Sequence, residues 1–246
     1  MLNRPDLTVI MIFFPVLQMY FNNKGGLPVT LILLCLSGAV NAQTARHIAD
    51  PLNLTTTLGA GFDADVLKVA GRLGGENQKI ELNSNLGGDK WSLSYLYSPQ
   101  SALSNWNLSA SIKHGKTDTE IGRFNHYQYQ LGIISEFNGW MDTAVFTEFG
   151  ANYLSVKDNP GSDSITANAS VTALKPWSDR WYNTLVAQGS AAIDGSERYE
   201  THAWLSLGYR VTERWSWEIR YRYESNQYES FSEEETKWGF AIQSQF

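Results

Sequence analysis

Four charged residues stand two apart near the carboxyl end: Glu218, Arg220, Arg222 and Glu224. In an extended chain that spacing puts all four on one face. A row of alternating cations and anions on one wall can select solutes by charge, or can form a salt-bridged ladder that fills an interior. Lys79 and Glu81, Lys113 and Arg210 repeat the pattern more sparsely and are candidates for the same wall. Trp204 falls on that face as well, either as a stacking platform for sugars or as a space-filling ring. The rest of the chemical inventory is thin. His114 and His126 flank a segment containing Asp118 and Glu120, the one constellation suited to a rim-active hydrolase. No local motif ties a histidine to a nucleophile, so the expectation is a protein that is not an enzyme and needs no cofactor or metal. Asp63 and Asp65 are too few carboxylates for a calcium loop and read as a plain turn.

What must hold these residues is legible around them. Trp215, Trp217, Ile219, Tyr221 and Tyr223 alternate with the charged row, and Trp238, Phe240 and Ile242 alternate with Lys237, Gly239, Ala241 and Gln243. Period two with one apolar side is the mark of a strand. The same alternation runs from Leu52 onward: Leu54, Leu58, Ala60 and Phe62; Leu67, Val69 and Leu73; Ile80, Leu82 and Leu86. Further on come Trp91 to Tyr97, Trp106 to Ile112, Tyr127 to Ile133, Val145 to Tyr153, Ile165 to Ala173 and Ala203 to Tyr209. Turn residues separate these segments, giving about twelve strands, most near ten residues, the length that crosses a bilayer at a tilt. The reading is all-β: a transmembrane antiparallel up-and-down β-barrel, preceded by a signal peptide.

Composition agrees. Aromatic residues make up 13 %, with 9 Trp and 12 Tyr, and Trp91, Trp106, Trp140, Trp181, Trp215 and Trp238 fall near strand ends, where interfacial belts belong. Mean hydropathy is −0.30, which a barrel tolerates because only alternate residues meet lipid. The net charge of −6 argues against nucleic acid as a partner. The single cysteine, Cys35, lies in the leader. There LPVTLILLCLSGAV and VNA read as an apolar core and a cleavage site after Ala42, with Met19 a possible true start. That leaves residues 43–51 as a short periplasmic segment and 52–246 as the barrel.

With both termini periplasmic, connections at 63–65, 87–89, 115–123, 157–163, 194–198 and 225–235 face outward. The last carries Glu229, Glu233, Glu234 and Glu235. For about twelve strands the radius is roughly 12 Å, so the lumen is narrow at best.

The terminal strand ends on Phe246, with Ile242 and Phe240 on its apolar face. In this the chain resembles Gram-negative outer-membrane β-barrels, although Ser244 departs from the apolar residue more usual there. The resemblance implies that Phe246, Ile242 and Phe240 form the assembly signal read by the barrel-assembly machinery. It also implies a monomer surrounded by outer-membrane lipid and lipopolysaccharide. In size the chain is similar to small twelve-stranded solute-specific porins and to solitary autotransporter-like β-domains. The first implies a narrow pore for passive passage of small solutes, the second a closed structural or surface-interaction barrel.

Overall fold

The structure is a computed structural model and describes residues 46–64, 66–99, 106–119, 122–139, 141–157, 163–228 and 231–246. The leader, Asp65, Trp140, Glu120 and Glu229 lie outside them. The described residues form twelve strands: β1 (Thr57–Asp63), β2 (Val66–Gly74), β3 (Gln78–Asn85), β4 (Trp91–Tyr97), β5 (Trp106–Thr119), β6 (Gly122–Asn138), β7 (Ala144–Val156), β8 (Ser164–Pro176), β9 (Trp181–Gly195), β10 (Arg198–Arg210), β11 (Trp215–Tyr228) and β12 (Phe231–Gln245). Each pairs antiparallel with its sequence neighbours, and β1 pairs with β12 to close the barrel.

The alternating apolar residues point outward. Leu131 is 70 % exposed, Trp238 66 % and Phe149 64 %, whereas the inward neighbour Phe146 is 2 % exposed. A closed ring leaves no unpaired edge at membrane depth, so this oily exterior can meet acyl chains without an orphaned backbone group. Aromatic side chains cluster near both rims. Trp181, Tyr209 and Trp217 lie within 4.6–5.8 Å of one another toward the end that holds the chain termini of the barrel. Tyr221 and Trp238 stand 4.9 Å apart toward the opposite end.

Two boundaries differ from the sequence reading. The barrel begins at Thr57, not Leu52. Residues 115–123 and 225–235 are mostly strand instead of loop, with pairing continued to Thr119↔Gly122 and Tyr228↔Phe231. Both segments are mostly polar in sequence, so the alternation that marks a lipid-facing strand disappears there while the backbone ladder continues. The wall is uneven as a result. Strands β1 to β4 have 7 to 9 residues, and β5 to β12 have 13 to 17. The β1–β12 seam holds seven residue pairs, from Thr57↔Gln245 to Asp63↔Gly239, against fourteen between β11 and β12.

Candidate functional site: the lumen and its periplasmic mouth

The inward face divides into two walls. On β10 to β3 it is charged. Arg220 donates from Nε and Nη2 to Oε1 of Glu218 at 3.1 and 2.7 Å, and its guanidinium lies 5.9 Å from the Trp204 ring centroid. Arg222 bridges two carboxylates, Glu224 at 3.0 Å and Asp63 at 2.9 Å. Glu224 also has Lys237 at 3.5 Å and His202 at 3.8 Å. Arg72 makes a two-nitrogen contact to Glu81 Oε2 at 2.9 and 2.8 Å. On β5 to β9 the wall is mainly neutral amide and hydroxyl. Glu148 is its main described anion, accepting from Ser109 at 2.6 Å and Gln130 at 3.1 Å.

Strand alternation therefore brings Glu218, Arg220, Arg222 and Glu224 together on one face, as their spacing requires. Glu81 is drawn to Arg72 and lies apart from that row. Lys113 stands on β5, six places round the ring from β11. Arg210 ends β10 at the periplasmic rim, where its backbone N–H donates to Arg180 O at 2.8 Å. Lys79 does not present its ammonium to an open lumen: it is 9 % exposed, and Nζ donates to the carbonyls of Pro51 and Asn53. The two histidines of the hydrolase constellation are not brought together, and the Asp118 side chain and Glu120 lie outside what the structure describes. Strand parity turns His114 outward, between Trp91 and Tyr127 at 5.6 and 4.7 Å, and puts the His126 side chain on the opposite face of the wall. Among the described residues no group of three or more His, Cys, Asp or Glu could hold a metal.

The partner of Lys79 is a feature absent from the sequence reading. Residues 46–56 fold as a strap into the mouth at the end where β1 begins and β12 ends. Ile48, Leu52 and Leu54 are buried in one cluster with Leu96, Ile134, Phe146, Leu174 and Tyr182, inward side chains of β4 and β6 to β9. Arg46 reaches Asp50 at 2.9 Å and Glu136 of β6 at 2.5 Å. The His47 ring meets Tyr182 edge-on at 4.4 Å. Asn53, 1 % exposed, donates to His47 O at 3.1 Å and accepts from the Thr55 amide at 3.0 Å. Asp50 caps the turn by accepting from the Leu52 amide at 2.7 Å.

Two glycines make room for this arrangement. A Cβ on Gly74 would fall 1.3 Å from Leu54 O, and one on Gly208 would fall 2.0 Å from the Tyr182 ring.

The His47 imidazole is pushed down to about 4, first by burial and then by the Arg210 charge. Facing it are Tyr182 of β9 and Arg210 of β10, with Arg46 and Asp50 on the strap, Glu136 on β6 and Lys79 on β3. Because the docked ring resists protonation, a detached strap takes up the proton first. Docking therefore weakens as pH falls from about 6.5 toward about 4. Burial raises the Asp50 carboxyl, which acts in the opposite direction. An NMR titration of the folded barrel in micelles is expected to place the His47 midpoint near 4. A midpoint near 6.5 would mean a solvated ring.

Fold and lumen define the class: a closed twelve-stranded transmembrane β-barrel with a polar interior. The fold agrees with that of one solved porin. The NanC porin is 10 % identical, covering 78 % of this chain and 100 % of that one at a TM-score of 0.52. The translocator domain of autotransporter NalP from Neisseria meningitidis is 14 % identical, covering 81 % and 90 % at 0.48. The KdgM porin in complex with disordered oligogalacturonate is 9 % identical, covering 78 % and 99 % at 0.48. No protein-family profile and no curated protein matches the sequence.

Proposed function

We propose that the chain forms a narrow polar pore in the outer membrane of a Gram-negative bacterium, for passive passage of small solutes and without enzymatic activity. The observation that carries this reading is where the ion pairs lie. Outside the strap, those of the described lumen join groups on one strand or on adjacent strands, as in Arg220–Glu218, Arg222–Glu224 and Arg72–Glu81. Only Arg222–Asp63 reaches past one intervening strand. Charges satisfied along the wall leave the axis for water and solute, whereas a filled interior would pair across it. On this reading the barrel is a monomer in lipid and lipopolysaccharide. It is assembled through the terminal strand, where Phe240, Ile242 and Phe246 share the exposed outer face.

The strap favours a second reading, a closed, autotransporter-like barrel with a structural or surface-interaction role. Planar-bilayer recording separates the two. Discrete conductance steps are expected of the pore, and silence at high protein loading would establish the closed barrel in its place.

A further inference from the structure

We infer that residues 46–56 are a built-in gate, a strap that closes the periplasmic mouth and must leave it for solutes to pass. The inference rests on the pore reading and adds the device that regulates it. Its geometry spans the mouth. The strap is rooted at β1, is held by Lys79 on β3 and ends against Tyr182 on β9. Strands β3 and β9 are six places apart in a ring of twelve, that is, on opposite sides of the lumen. Arg46 fastens its far end to Glu136 on β6. The apolar cluster beneath it is built from inward side chains of five strands, in a barrel whose inward face is otherwise largely polar. Such side chains have no reason to gather at a water-filled mouth unless something apolar covers them.

The attachments are also of a kind that can be released. Among the described residues, apart from its apolar contacts, the far end is held to the barrel by one ion pair and one edge-on ring contact. The near end is tied more firmly, by the Gly74 amide donating to Thr56 Oγ1 at 3.2 Å and the Phe246 amide donating to Thr56 O at 2.9 Å. Release of these polar ties would let the strap move about its root at Thr56.

The test compares single-channel records of the full chain with two variants. Glu136→Gln removes the ionic tie and keeps the shape. Ile48→Asp with Leu52→Asp puts charge into the apolar cluster. Heat-modifiable migration on a denaturing gel establishes that each barrel is folded, and the conservative Glu136→Gln preserves the test if the double variant does not assemble. The expected result is a raised open probability in Glu136→Gln and a several-fold larger conductance in the double variant. Folded variants with the conductance and open probability of the unaltered chain would overturn the gate and leave the pore intact. Folded protein that is silent in every form would overturn the pore, and the gate with it.

Discussion

Changing Arg220 and Arg222 together to glutamine is expected to swing the pore toward cations. Arg222 sits between Glu224 and Asp63 at 3.0 and 2.9 Å, so its loss leaves two carboxylates short of a cation on one stretch of wall. Arg220 releases Glu218 in the same way. Lys237 remains within 3.5 Å of Glu224 and Lys68 remains paired with Asp63, and together they compensate only in part. In a narrow lumen with low-dielectric walls, uncompensated charge of one sign concentrates the opposite ion. Reversal potentials in a salt gradient should shift to give a several-fold higher cation-to-anion permeability ratio. The barrel should survive, because the wall is wet and each carboxylate keeps access to water. An unchanged reversal potential in a conducting variant would remove this charged row from the permeation path.

The second large effect concerns the outer surface. Leu131 lies mid-strand on β6, 70 % exposed, between Ala110 and Ala151 in register. Leu131→Arg would put a guanidinium against lipid, which costs about 2–4 kcal/mol at the bilayer midplane. Gln130→Arg, one residue earlier, turns inward beside Glu148 and should cost far less. Urea unfolding in lipid vesicles, followed by tryptophan fluorescence, measures both. Equal costs at the two positions would mean that the apolar face does not meet acyl chains.

Much of this architecture could be read before any coordinates. Lipid forces an apolar residue at every second position, and that pressure is visible from Leu58 to Ile242. The same logic explains the misreading of the amino-terminal end. Leu52 and Leu54 stand two apart and continue the spacing into Leu58, yet they are apolar because they pack inside the mouth. Two different burial environments select the same residue types, and the spacing alone carries no mark of the change. The two long hairpins were missed for the opposite reason, since their mostly polar sequence carries no apolar period. In the charged row, Glu218 to Glu224 follows from spacing alone. Asp63 as the second carboxylate on Arg222 does not, because it is the closure of β1 on β12 that brings it there.

The short seam between first and last strands ties these observations together. Seven pairs hold it where the neighbouring ladder has fourteen, so thermal agitation parts the ring there before anywhere along β11 and β12. Thr56, at the root of the strap, is stitched to Phe246 on one side and Gly74 on the other. Any force that draws residues 46–56 away from the opening is thus delivered to a join half as long as the ladder beside it. The hinge of the door and the zip of the barrel are the same few residues, and loosening either one slackens the other.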